Sequence, residues 1–260
     1  MVPREGDMML LFPYDSDLLA AVRPAPQSVA DVIRTMQAID RICIDADGLK
    51  WFNGLYLQVT DAVRNRIARG GFTNLAWLAD LDVHFAAFYF QALEANLGGQ
   101  GAPGCWQAML QCRSQAAVAR IQFALAGMNA HINHDLPMAL VKTCESSGSY
   151  PPHGGPQYAD FTALNSTLDS LFESAIKTLH VRLLGDALPP VSQLEDRIAA
   201  WSVAAAREAA WTNGEVLWVL RDSPPLLARF QNTLDGLTAL AGKTLLVPVP
   251  LALAATAPDL

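Results

Sequence analysis

Apolar residues recur along most of the chain at the spacing of an amphipathic helix. From Val29 they return every three or four residues as far as Cys43, and Ser28 stands where it can cap that helix. Further segments of this kind begin near Trp51 and at about Leu75, and glycine pairs close both of them. Almost nothing alternates with the period of two that a half-buried strand requires. The pattern predicts an all-α fold, a single-domain bundle of about eight helices around a buried central helix.

Proline positions and the apolar pattern divide the chain into three parts. Residues 1–27 are expected to be an irregular N-terminal segment, and residues 28–242 are expected to form the all-helical domain. Residues 243–260 make an apolar, proline-containing tail, too short and too broken to span a bilayer. Within the domain, the capping-box pattern of Ser192 and Glu195 predicts the start of a helix that continues to about residue 221.

Composition narrows the class of protein. Hydrophobic residues make up 52% of the 260-residue chain and charged residues only 17%, so much of the chain should be buried. The net charge of −7 argues against a nucleic-acid partner and against an anionic membrane surface. The four cysteines form no Cys-x-x-Cys pair, and a chain of this length does not need disulfides. We expect a cytoplasmic protein with reduced thiols.

One stretch, GMNAHINHDLPMAL at 127–140, places ionisable side chains inside an apolar run. At about 100° per residue, His134 and Asp135 fall on the helix face that carries His131, and Pro137 should end or kink the helix just beyond them. Asp135 could orient His131 as a general base, or the three side chains could bind a metal ion. A buried histidine–aspartate pair that only stabilises the helix fits the same spacing.

Two more charged residues occupy helix positions at which the pattern predicts burial. Asp82 lies in the middle of an apolar stripe, and Arg207 lies on a helix that is apolar nearly all round and could stack on Trp211. A buried charge needs a partner, so both point to a polar site or to a structural salt-bridge network. The candidate partners of Asp82 are His131, Arg120 and Arg207. The candidate partners of Arg207 are Asp82, Asp135 and Asp160.

The string Met-Asn-Ala-His-Ile-Asn-x-Asp-Leu at 128–136 resembles the core motif of an uncharacterised bacterial family, a domain of unknown function with all-helical members of about this length. Shorter matches keep the same order, and the resemblance covers roughly residues 28–220. These matches are Phe52, Tyr56, Leu81-Asp82, Phe85-Ala86, Tyr89, Asp160-Phe161, Asn165, Arg207 and Ala210-Trp211. The resemblance implies a polar set of Asp82, Asn129, His131, Asp135, Asn165 and Arg207, whereas His134 and His84 depart from the family pattern.

The favoured interpretation is an enzyme of small-molecule metabolism, of isomerase, cyclase or lyase type, as in bacterial secondary metabolism. It would act on a small apolar molecule in a hydrophobic pocket by acid–base chemistry, and no cofactor is favoured. The catalytic residues would be His131, Asp135, Asp82 and Arg207. The substrate-binding residues would be Asn129, Asn165, Tyr89, Tyr56 and Trp211.

Alternative functions remain open. One is a metal-dependent hydrolase, similar in outline to the zinc phospholipase C and P1 nuclease group, with a divalent ion on His131, His134, Asp135 and Asp82. The chain has only five histidines, which is few for that group. Another is a non-catalytic helical module that binds an apolar ligand or a partner, and the apolar tail also fits a homodimer. A class I terpene cyclase is weakly supported, because its candidate triad at 165–173 drifts away from the apolar face.

Overall fold

Helices make up nearly all the regular structure in the computed structural model, which describes residues 12–145, 147–172, 174 and 202–248. These ranges contain no strand, so the all-α prediction is confirmed for the described part of the chain. The α-helices are α1 Asp15–Val22, α2 Val29–Ile42, α3 Gly48–Ala68, α4 Leu75–Leu97, α5 Gly104–Leu110, α6 Arg120–Ala130, α7 Leu136–Glu145, α8 Pro156–Ala163, α9 Val203–Leu220 and α10 Pro224–Leu245. A π-helical segment, His131–Asp135, joins α6 to α7, and residues 165–172 are also helical.

Local sequence signals set most of the helix ends. The Ser28 side chain accepts a hydrogen bond from the Asp31 amide at 3.2 Å, which confirms the predicted cap of α2. Gly70 and Gly71 follow α3 with φ values of 82° and 92°, a conformation that glycine adopts without strain. Helix α4 ends at Leu97, directly before Gly98, as the sequence predicts.

Helix α6 lies at the centre of the molecule, and every residue from Ile121 to Ala130 is buried. It packs between α3 on one side and α10 on the other, while α7 packs between α4 and α9. Because α6, the π-helical segment and α7 follow one another in the chain, they form one long buried rod. Side chains on this rod can therefore contact the helices on each side.

Pro137 does not end the rod, since helical structure continues past it to Glu145. The π-helical segment explains the difference, because the Leu136 amide donates to the His131 carbonyl five residues earlier. Pro137 then falls in the first turn of α7, where its missing N–H costs no hydrogen bond. The rod begins at Arg120.

Two of the predicted segment boundaries also differ from the structure. Residues 15–22 form helix α1 within the segment expected to be irregular, and Leu18, Leu19 and Val22 are buried against α2 and α4. Helix α10 continues past Gly242 to Leu245, so the tail begins as helix. In both cases tertiary packing extends helical structure that proline and glycine signals seemed to exclude.

Some predictions fall outside the described residues. These are the capping box at Ser192 and Glu195 and the part of the tail beyond residue 248. The later part of the helix predicted to reach residue 221 is present as α9, and Ser202 caps it through the Ala205 amide at 3.2 Å. No helix in the described ranges is long and apolar enough to cross a membrane.

Candidate functional site

A mostly apolar pocket lies beside the central rod, where α3, α4, α9 and the segment 164–172 meet it. Its volume is about 70 Å³, which is room for roughly five water-sized groups at 10–15 Å³ each. Apolar side chains cover most of the wall, among them Val59, Leu78, Met128, Ile132, Leu168 and Phe172. Four polar side chains interrupt this lining: Tyr56, Asp82, His131 and Arg207. The sequence had singled out all four.

His131 begins the π-helical segment, and its imidazole is fully buried at the pocket wall. Its Nδ1 lies 3.0 Å from Asp135 Oδ2, which confirms the predicted pairing. The ring stacks on Phe85 with centroids 3.5 Å apart and planes within 6°, and Tyr56 meets its face edge-on. These contacts fix the ring, while Nε2 is buried and makes no hydrogen bond to any described residue.

Asp135 is held by three donors. Oδ2 also accepts from Trp106 Nε1 at 3.0 Å, and Oδ1 lies 2.8 Å from His134 Nδ1. Burial alone would raise the pKa of Asp135, but the hydrogen bonds from His131 and His134 outweigh it, and the pKa is lowered. The carboxylate is therefore ionised and can only accept hydrogen bonds. It follows that His131 carries its proton on Nδ1 and has its lone pair on Nε2.

Burial lowers the pKa of His131, although its hydrogen bond with Asp135 acts in the opposite direction. The imidazole is consequently neutral at physiological pH. A neutral imidazole with a fixed tautomer and an unoccupied Nε2 is the form in which histidine accepts a proton as a general base.

Asp82 brings a second ionisable group to the pocket from α4. Burial raises its pKa to about 7, so the carboxyl is about half protonated near neutral pH. Its Oδ2 is buried without a hydrogen-bond partner in the described ranges, and so is the Tyr56 hydroxyl. Within the described residues, Asp82 makes no hydrogen bond to His131 or Arg207, although all three line the pocket.

Arg207 reaches the pocket wall from α9, but not as part of the expected salt bridge. Its Nε donates to Asn165 Oδ1 at 2.8 Å, and one Nη donates to the Phe161 carbonyl at 2.7 Å. The guanidinium lies 3.9 Å from the centre of the Phe161 ring, which replaces the predicted stacking on Trp211. Burial lowers the pKa of Arg207 to about 9, although Asp169 opposes the effect.

The third expected partner of Arg207, Asp160, serves another purpose. Its carboxylate accepts hydrogen bonds from the Thr73 and Asn74 amides, directly before α4 begins. Neutral oxygens and an aromatic face thus satisfy the buried guanidinium in the described part of the chain. Its positive charge is left uncompensated by any carboxylate within salt-bridge distance in that part.

Four of the five predicted substrate-binding residues do not line the pocket. Asn129 donates to the Thr238 carbonyl of α10 at 2.9 Å, on another side of the rod. The Tyr89 hydroxyl donates to Asn53 Oδ1 at 3.3 Å within the core. Trp211 is fully buried and donates from Nε1 to Glu215 at 3.1 Å. Asn165 supports the pocket indirectly by holding Arg207, and Tyr56 lines it.

The four ligands of the metal alternative are not brought together in the structure. His131 and His134 bind different oxygens of Asp135, and Asp82 hydrogen-bonds to neither histidine. His131 faces the pocket, whereas His134 Nε2 lies 3.9 Å from Asp235 Oδ1 on α10. The sequence did not predict the surroundings of His134, where Trp106 donates a hydrogen bond to Asp135 and Gly104 donates one to Asp235. The partners in these two contacts lie 29 and 131 residues apart in the chain.

The fold and the site define an all-helical protein with a small apolar pocket, which is lined by the histidine of a histidine–aspartate pair and by two further charged-type side chains, Asp82 and Arg207. The sequence model of a family described as "Family of unknown function (DUF5995)" matches residues 29–248, and the chain belongs to this family. The match includes every residue that lines the pocket. No curated protein and no solved structure matches the chain.

Proposed function

We propose that the protein is an enzyme that acts on a small, largely apolar molecule, with His131 as the group that moves a proton. The observation that carries the proposal is the state of His131, a pocket-lining neutral imidazole fixed through Nδ1 by an ionised aspartate, with Nε2 unpartnered among the described residues. A neutral imidazole of this tautomer keeps a lone pair on Nε2 that can accept a proton from a molecule in the pocket.

The other polar groups of the pocket support this role. Asp82, with a pKa of about 7, can hold a proton near neutral pH, while His131 can accept one. Isomerisation, cyclisation and elimination each need a base and an acid close to the same substrate, and none of the three needs a redox cofactor. The cationic Arg207 would hold a carbonyl or carboxylate oxygen of the substrate.

The test compares three proteins: wild type, His131→Gln and the control His84→Gln. His84 bonds to Thr143 at 3.0 Å and does not line the pocket, so its loss should leave activity unchanged. Each protein is incubated with a small-molecule extract, and the mixture is followed by untargeted mass spectrometry. We expect metabolites that interconvert without a change of mass, or with loss of water, in the presence of wild type and His84→Gln only.

Conversion that persists with His131→Gln would refute a catalytic role for this residue. Binding without conversion would favour the second candidate, a helical module that holds an apolar ligand, which the predominantly apolar pocket wall also supports. That outcome is recognised when a metabolite co-purifies with wild type, is lost on substitution of a wall residue such as Met128→Lys, and is never chemically changed.

A further inference from the structure

A second group of ligand-type side chains lies on another side of the rod, where α5, the π-helical segment and α10 meet. Cys105 comes from α5, His134 from the π-helical segment and Asp235 from α10. One thiol sulfur, one imidazole nitrogen and one carboxylate oxygen from these residues lie within 4.8 Å of one another. None of the three lines the pocket.

We propose that Cys105, His134 and Asp235 bind a single divalent metal ion of the zinc type, with a fourth position left for water. Thiolate, imidazole and carboxylate are the ligands that zinc takes from proteins, and three protein ligands plus water is the arrangement of zinc sites that keep an open position. The softer thiolate ligand argues against magnesium and calcium.

The separation of the His134 and Asp235 ligand atoms is close to that in a tetrahedral zinc site. Bond lengths of about 2.0–2.3 Å place two ligand atoms of a tetrahedral zinc site about 3.3–3.7 Å apart. His134 Nε2 and Asp235 Oδ1 lie 3.9 Å apart, so they must approach by only about half an ångström. The Asp235 side chain is 28% exposed, which gives an ion access from solvent.

Hydrogen bonds already orient two of the three ligands. His134 Nδ1 is bonded to Asp135 at 2.8 Å, and this contact turns Nε2 toward Asp235 as carboxylates do behind zinc-bound histidines. The Asp235 oxygens accept from the Gly104 amide at 3.0 Å and the Cys105 amide at 2.9 Å. A side chain at Gly104 would come within 2.8 Å of Asp235 Oδ2, so glycine is needed for this close approach.

The ion would replace a weak contact between elements that are far apart in sequence. Metal binding would displace the thiol proton of Cys105 to solvent and form a metal–sulfur bond in its place. It would thereby tie α10 to α5 and to the rod. The position of His134 would then be fixed on both of its nitrogens, by Asp135 on Nδ1 and by the ion on Nε2.

The experiment uses the full chain, freed of metal with a chelator and then loaded with Co²⁺ or Zn²⁺. Wild type with Co²⁺ should show tetrahedral d–d bands and a thiolate-to-cobalt charge-transfer band. Zn²⁺ at about a hundredfold excess over Kd should raise Tm by about 5–10 °C. Cys105→Ser and Asp235→Asn should lose the thermal shift, and Cys105→Ser should also lose the charge-transfer band.

The matched control is Cys112→Ser, which removes a half-buried thiol outside the cluster and should behave as wild type. Asp235→Asn keeps the size of the side chain, so it tests the site even where Cys105→Ser fails to fold. Absence of both the bands and the thermal shift in wild type overturns the proposal. A charge-transfer band that survives Cys105→Ser or disappears in Cys112→Ser overturns it as well.

Discussion

Replacing Asp82 with asparagine should change how the stability of the protein depends on pH. In the folded protein burial raises the pKa of Asp82 to about 7, against an ordinary value of 3.8. Between these two pH values the folded state keeps a proton that the unfolded state has lost. Stability therefore falls as the pH rises through this window, and the cost is fully present only above about pH 7.

The size of the effect follows from the two pKa values. At 1.36 kcal/mol per pKa unit, ionised Asp82 at pH 8 costs up to about 4 kcal/mol relative to pH 4. Asparagine does not titrate, and its own burial cost is the same at every pH. The free energy of unfolding of Asp82→Asn, relative to wild type, should therefore increase by up to about 4 kcal/mol between pH 4 and pH 8.

Urea unfolding followed by circular dichroism at pH 4, 6 and 8 measures this difference, provided that the m-values of the two proteins agree. The control is Asp80→Asn, which removes an exposed carboxylate two residues away on the same helix. Its stability relative to wild type should change by less than about 1 kcal/mol over the same range. A pH-independent difference between Asp82→Asn and wild type would refute the reasoning, since the carboxyl would then ionise in the folded protein as readily as in the unfolded chain.

Two further predictions concern packing and buried charge. Gly127→Ala would place a methyl group 2.3 Å from the Phe52 ring and should destabilise the protein by at least about 1–3 kcal/mol. A methyl group at Gly236 would meet nothing within 4 Å, so Gly236→Ala should stabilise α10 by about 0.5–1 kcal/mol. Calorimetry on both variants checks the pair, and equal effects would contradict the packing argument. Arg113→Met should lower the free energy of unfolding by about 3–5 kcal/mol, because Asp15 and Asp47 stay buried without this cation. Arg34 pairs with Asp31 at the surface, so Arg34→Met should lower it by less than about 1 kcal/mol. Urea titrations compare these two variants, and a small effect of Arg113→Met would show that the buried network does not hold α1.

Local signals were sufficient to predict most of the helices. The start of α2 depends on Ser28 and the end of α4 on Gly98, and both signals act within a few residues of the helix they bound. Helix α1 could not be predicted in this way. The ion pair between Asp15 and Arg113, 98 residues later, and burial against α2 and α4 help to hold that short segment in place.

The candidate site was predictable to the extent that its contacts are local. His131 and Asp135 are one turn apart, so the sequence alone indicates their pairing. The charges of Asp82 and Arg207 were expected at the same site, and both line the pocket, but their partners were predicted wrongly. Hydrogen bonds such as that from Arg207 to Asn165 depend on how distant helices pack, and helical periodicity carries no information about that.

Pro137 shows how a strong local rule can fail beside the candidate site. The rule assumes a regular α-helix, in which the proline ring collides with a carbonyl one turn earlier. Here the helix widens over His131–Asp135, and the proline falls in a first turn instead of an interior one. A π-helical segment is less stable than an α-helix of the same length, so its presence needs a compensating contribution from side chains.

The Asp135 carboxylate supplies that contribution. Within the five residues of the π-helical segment, one of its oxygens bonds to His131 and the other to His134. The first histidine faces the pocket, and the second faces Cys105 and Asp235. The carboxylate also accepts from Trp106, so the same buried charge joins α5 to the rod. Because one ionised group fixes both imidazoles, a metal ion on His134 Nε2 would polarise the Nδ1–H bond to Asp135 and weaken the hold of that carboxylate on His131. The proposed catalytic pocket and the proposed metal site are therefore physically linked through Asp135, although they share no wall and no ligand.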